Sequence, residues 1–171
     1  MRSILSAVCC IALFSTPALA KEKGARGTGM TDQQFVDFAA ETDMVEANLG
    51  QLAQSLASSQ RTKDYGQMLA TDHTNDFHQL YSVAQQETLK MPDAIDTEHN
   101  KAMVDPFQKL KGIAFDQRYS REMVAGHTKA IAIYKKEAAD AQNPALKSYA
   151  EQALPVLQKH LEDAKDLEKA K

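Results

Sequence analysis

The chain has 171 residues, a formal net charge of −3 and 43% hydrophobic residues, which suits one soluble-type domain with a sizeable core. A mild acidic charge argues against nucleic acid as a partner. The two cysteines, Cys9 and Cys10, both lie near the start. A mature chain that has lost its first segment therefore offers no disulfide, thiolate metal site or covalent haem attachment.

The first 20 residues have the features of an export signal. Arg2 supplies a positive charge, residues 4–14 form a short apolar run, and Ala18-Leu19-Ala20 is a small-x-small cleavage site. The apolar run is too short to cross a bilayer, and no later segment is apolar enough to do so. We therefore predict a signal peptide over residues 1–20, cleavage after Ala20, and a periplasmic or secreted protein.

The rest of the chain is predicted to be helical after a flexible leader at residues 21–30, which contain three glycines and no apolar pattern. Thr31 is a predicted N-cap, with Gln34 completing a capping box. Apolar residues then recur at three- and four-residue steps through about Ala57. A second helix is predicted from near Thr62 to Met91-Pro92, where the proline ends it.

Two further long helices follow a long connection at residues 92–111, which is predicted to contain a short helix interrupted at Pro106. Gly112 opens the third long helix, and Asn143-Pro144 is an N-cap followed by proline at the first helical position. Pro155 lies inside the fourth helix and is expected to kink it or free a carbonyl. The expected fold, over residues 31–171, is all-α: a ferritin-like four-helix bundle in which the long connection joins two antiparallel hairpins.

Four sequence segments resemble one family when they are taken together and in order. They are residues 68–74 (MLATDHT), 114–119 (AFDQRY), 123–129 (MVAGHTK) and 153–161 (ALPVLQKHL). The chain resembles, over about residues 31–166, a family of exported bacterial proteins catalogued as a domain of unknown function, DUF family 4142. That family is described as ferritin-like and is often labelled a predicted outer-membrane protein. The resemblance implies the fold and export, and brings no biochemical function.

Four polar residues lie at similar distances from the hairpin turns, each on a different predicted long helix. Glu46 and His73 are both roughly 20 Å from the first turn, and His127 and His160 both roughly 25 Å from the second, at ~1.5 Å rise per residue. Helical bundles build internal metal sites from carboxylate and imidazole groups on facing helices. These four residues are therefore the candidate ligands of one transition metal ion, and an imidazole-rich set suits Zn, Cu, Ni or Fe.

Four aspartates near these positions are the candidates to orient the ligands from outside. A second interpretation makes the same polar residues a hydrogen-bonded network that fixes helix register, with an aspartate holding a histidine. A third leaves His73 partly solvated at the rim. The pattern departs from the di-iron Glu-x-x-His signature, because the histidine comes first in both similar pairs, His73-x-x-Asp76 and His160-x-x-Asp163. The candidate orienting residues are Asp72, Asp76, Asp116 and Asp163.

Two glycines inside predicted helices flank this level, Gly50 on the first helix and Gly126 on the third. Glycine in a helix interior costs ~1 kcal/mol relative to alanine, so each requires a reason. Close approach of a neighbouring helix is the favoured explanation, and space beside a metal ligand is the alternative.

No sequence motif supports an enzyme. The chain has no nucleophile elbow, phosphate-binding glycine loop or His-Glu-x-x-His metalloprotease motif. The leading interpretation is a non-catalytic envelope protein with a structural polar core, whose outer faces could bind a protein partner or a second copy. The alternative is a metal-binding or metal-handling bundle.

Overall fold

The computed structural model describes residues 29–170, which form helices and contain no β-strand. The predicted all-α class and helical-bundle architecture are confirmed. The predicted signal peptide and most of the predicted leader lie outside the described residues. The helices are α1 (Asp32–Leu56), α2 (Gln60–Gln86), α3 (Thr97–Met103), α4 (Asp105–Gln108), α5 (Ile113–Asp140) and α6 (Pro144–Lys169).

The four long helices form two hairpins, α1 with α2 and α5 with α6, which pack together mainly through α2 and α6. The backbone N–H of Gly112 donates to Leu56 O at 2.7 Å, so α5 begins at the end of the bundle where α1 ends. The side-chain amide of Asn143 donates to Glu87 at 2.8 Å, so the second turn lies where α2 ends. The connection with α3 and α4 therefore runs along the bundle from one end to the other.

The helix starts follow the capping residues of the sequence. The Thr31 hydroxyl accepts from Gln34 N and the Gln34 side chain accepts from Thr31 N, which completes the predicted capping box. The Asn143 side chain accepts from the backbone N–H groups of Ala145 and Leu146. Gly112 has a φ of 60° at the start of α5, a backbone conformation that favours glycine.

Three details of the helices differ from the sequence prediction or refine it. α2 ends at Gln86, before the predicted Met91-Pro92, because Thr88 adopts a φ of 58° and turns the chain. The predicted short helix is interrupted at Val104, two residues before Pro106, and Pro106 lies in the first turn of α4, where proline is tolerated. α6 remains helical through Pro155, although proline has no N–H to donate.

The apolar core is divided into two clusters along the bundle axis. One includes Phe35, Leu80 and Tyr134, and the other includes Leu69 and Phe115. Buried polar residues separate the two clusters, so the bundle contains a polar layer between two apolar ones. None of the helices within residues 29–170 is long and apolar enough to span a membrane.

Helices α1 and α2 approach closely at Gly50 and Gly66. A Cβ atom placed on Gly50 would lie 2.4 Å from the backbone oxygen of Gly66, and one on Gly66 would lie 2.5 Å from Cβ of Ala53. Both distances are far inside van der Waals contact, so only glycine fits. The close approach of α1 and α2 therefore explains why a glycine stands inside α1 at position 50, which is the explanation that the sequence analysis favours.

Candidate metal centre

Three histidines from three different long helices meet in the polar layer. His73, His127 and His160 are each only 2% exposed. Their ring centroids are 5.3–5.8 Å apart, and one ligand nitrogen from each lies within 4.8 Å of the other two. The sequence positions that share a level on separate helices thus bring three imidazoles to one point inside the bundle.

Each of these rings is held through one nitrogen by an oxygen atom of the protein. Nδ1 of His73 lies 2.8 Å from Oδ1 of Asp43, Nδ1 of His127 lies 2.9 Å from the Met123 carbonyl, and Nε2 of His160 lies 2.9 Å from Oδ2 of Asp72. A carbonyl only accepts, so Nδ1 of His127 carries the proton and Nε2 presents a lone pair. Carboxyl oxygens of Asp43 and Asp72 orient the other two rings.

The opposite nitrogen of each ring has no hydrogen-bond partner among residues 29–170. These atoms are Nε2 of His73, Nε2 of His127 and Nδ1 of His160, and all three are buried. Metal-binding histidines have this arrangement, in which an oxygen on one nitrogen orients the ring and frees the other nitrogen for the ion.

Burial keeps these imidazoles neutral, which is the form that binds metal. It lowers the pKa of His127 to about 3, with smaller contributions from His73 and His160. It also lowers the pKa of His73 against the opposing effect of Glu46, and the pKa of His160 against its hydrogen bond to Asp72. Neutral imidazoles need no proton removed before they coordinate.

Glu46 is buried beside the three histidines but outside the closest set. Burial raises the pKa of its carboxyl to about 7, a change that His73 opposes, and Oε2 has no partner in the protein. Among residues 29–170, the set of ligand atoms within 4.8 Å of one another consists of the three histidines. Gly126 leaves room beside this carboxylate, since a Cβ there would meet only Oε1 of Glu46, at 3.3 Å.

The four aspartates proposed from sequence to orient the ligands occupy different surroundings. Asp72 contacts His160 directly. Asp76 accepts a hydrogen bond from the Tyr149 hydroxyl at 2.7 Å. Asp116 accepts from the backbone N–H groups of Ser58 and Ser59 at the first turn, and Asp163 pairs with Lys159 on the surface of α6. Of the four, only Asp72 hydrogen-bonds a histidine of the centre.

Asp43 is the orienting residue that sequence reasoning missed. It is 1% exposed, contacts His73 and keeps its second oxygen without a partner. A signal was present in the spacing, because Asp43, Glu46 and Gly50 recur at three- and four-residue steps on one helix face. The neighbouring Thr42 is only half-buried, and its hydroxyl donates back to the Phe38 carbonyl.

The three histidines fit a small transition metal ion. Imidazole nitrogens bind such ions at about 2.0–2.1 Å, so in a tetrahedral site they lie roughly 3.4 Å apart. One ring nitrogen of each histidine lies within 4.8 Å of those of the other two, so a modest movement of the rings would bring three nitrogens to that spacing. Glu46, whose buried carboxyl interacts electrostatically with His73, is the fourth ligand predicted from the sequence.

A family model described as a domain of unknown function (DUF4142) matches residues 16–167. The chain belongs to this family. Comparison with curated proteins found no match. Among solved structures, the chain is similar to one described as "CopM in the Cu(II)-bound form", at 14% sequence identity and a TM-score of 0.66, over 81% of this chain and 96% of that one. At this identity the similarity shows a shared helical-bundle fold.

Proposed function

We propose that this protein binds one transition metal ion inside the bundle, through His73, His127 and His160, with Glu46 as the fourth ligand. The observation that carries the proposal is the meeting of three buried histidines, with one ring nitrogen of each within 4.8 Å of those of the other two. Each ring also has one nitrogen fixed by an oxygen and one buried nitrogen without a hydrogen-bond partner among residues 29–170. An ion would satisfy all three nitrogens at once.

A purely structural polar network explains these atoms less well. Such a network stabilises a fold when its members are satisfied, and each buried group left unpaired costs about 1–3 kcal/mol. Five buried side-chain atoms of the centre are unpaired among residues 29–170, and they belong to Asp43, Glu46 and the three histidines. So many unpaired atoms are easier to explain by a bound ion than by a network that only fixes helix register. We therefore place metal binding before the structural role that the sequence analysis favours.

Borderline transition metals suit the donor set best. The three imidazoles and one carboxylate include no sulfur, which favours Cu(II), Zn, Ni or Fe over Cu(I). The similarity to a bundle described in a Cu(II)-bound form makes Cu(II) the first ion to test.

A binding experiment on the tag-free protein tests this function. Protein stripped with a chelator is titrated separately with Cu(II), Zn(II), Ni(II) and Fe(II) by calorimetry, and is then analysed for metal after gel filtration. We expect about one ion per chain for at least one metal. The variant His78→Ala is the control and is expected to bind the ion as the parent does, because His78 is exposed on the same helix as His73. A parent protein that retains no ion of any of the four metals contradicts the proposal and favours the structural network.

We also propose that the chain is exported, on the basis of its charged, apolar and small-x-small N-terminal segments. Expression of the full chain in a bacterium is expected to yield a product that begins at Lys21 and is released with the periplasmic fraction. Intact mass measurement checks the start. A product that retains residues 1–20, or that carries a lipid on Cys9 or Cys10, contradicts this prediction.

A further inference from the structure

We propose that the ion enters and leaves the centre through a groove between α2 and α6, hereafter the α2–α6 groove. This inference rests on the proposed metal-binding function and adds its exchange route. The groove has a volume of about 360 Å³ and is lined by both His73 and His160. Two of the three candidate ligand rings therefore form part of the wall of a groove that opens to solvent.

The groove reaches two of the three ligand residues. His73 and His160 both line it, and each has one buried nitrogen, Nε2 of His73 and Nδ1 of His160, without a partner among the described residues. His127 is not among the residues that line the groove. A cation that enters from this side thus meets ligand atoms of α2 and α6 before that of α5.

The charge of the groove suits a cation. Asp72 and Asp76 line it, the Asp72 side chain is 39% exposed, and no lysine or arginine is among the lining residues of this described region. Carboxylates on the wall of a cleft raise the local concentration of a cation and speed its association. Asp72 also bonds His160, so one carboxylate both faces the incoming ion and holds a ligand ring.

The neighbouring seam, between α1 and α2, is closed by close packing. The backbone of Gly66 and Ala70 lies against Gly50 so tightly that a Cβ there would come within 2.9 Å of both. An ion with its hydration shell cannot pass between helices packed at this distance. Of the two seams that α2 forms, the α2–α6 groove is therefore the one that can admit an ion.

Filling the groove tests the route. Val156 lines it and is 45% exposed, so Val156→Trp adds bulk there without touching a ligand. We expect both the association and dissociation rates of the ion, measured by stopped flow, to fall about tenfold or more, with Kd unchanged within about twofold. Ile113→Trp is the control, because Ile113 is 69% exposed at the start of α5 and lies outside the groove.

A charge pair at Asn75 gives a second test that does not depend on Val156. Asn75 is exposed and lines the groove. Asn75→Asp is expected to raise the association rate and Asn75→Lys to lower it, and the difference should shrink at high ionic strength because salt screens exposed charges.

The outcomes separate the route from the function itself. A parent protein that binds no ion overturns the proposed function. A parent that binds while Val156→Trp exchanges ions at the parent rate overturns the route alone. If Val156→Trp fails to fold, the two Asn75 variants decide, and equal association rates for both overturn the route.

Discussion

The variant His127→Leu is expected to lose all stabilisation by added metal while its metal-free form melts no lower than the metal-free parent. In the parent, an ion at 100 times its Kd should stabilise the fold by about 2.7 kcal/mol. For a domain of this size that corresponds to a rise in Tm of roughly 10 °C. Scanning calorimetry of metal-free and metal-loaded protein measures both effects.

The metal-free part of this prediction follows from the surroundings of His127. Its Nε2 is buried without a partner, and its only hydrogen bond goes to the Met123 carbonyl four residues back. Leucine fills similar volume, removes the unpaired nitrogen and adds apolar contact, which offsets the loss of one hydrogen bond. A site that destabilises the empty fold is expected where function requires unpaired ligands.

The structural-network interpretation makes the opposite prediction for the same variant. If the ring of His127 exists to fix helix register, leucine there should lower the stability of the metal-free protein by about 1–3 kcal/mol. Added metal would then have no effect on the parent. A variant that melts well below the parent, together with a parent indifferent to Cu(II) and Zn(II), would contradict the metal centre.

The variant Gly50→Ala is expected to destabilise the bundle despite a better helix propensity. Alanine gains up to ~1 kcal/mol over glycine in a helix interior. Its Cβ, however, would lie 2.4 Å from the Gly66 oxygen and 2.9 Å from the Ala70 nitrogen, both backbone atoms that cannot turn aside. The two helices must separate, so we expect a net loss of about 2–3 kcal/mol in the free energy of unfolding by urea.

Gly126→Ala is the matched control for this change. It makes the same substitution inside a long helix, but the nearest atom to its Cβ is Oε1 of Glu46 at 3.3 Å, the end of a flexible side chain. We expect this variant to match the parent or to be more stable by up to ~1 kcal/mol. Equal stability of Gly50→Ala and Gly126→Ala would show that α1 and α2 do not approach as closely as the structure has them.

The helices and their order could be predicted because their signals are local. Thr31 with Gln34, Gly112, and Asn143 before Pro144 mark helix starts through their own backbone chemistry. The early end of α2 could not be predicted in the same way. It depends on the positive φ of Thr88, a conformation that threonine rarely adopts and that its sequence neighbourhood does not signal.

By itself the sequence determined which residues share a level. Helix rise is constant, so counting from the turns places Glu46, His73, His127 and His160 at one height. Only the tertiary structure decided how their side chains are oriented and which groups they contact. Spacing gives the face of a helix but not the rotation of a ring or its hydrogen-bond partner. A one-dimensional pattern does not show which distant segments meet, so it could not predict the contact of Asp43 with His73 or the α2–α6 groove. Nor does it show how a side chain is rotated, and that rotation decides the contact of His127 with the Met123 carbonyl and leaves one nitrogen of each histidine without a partner among residues 29–170.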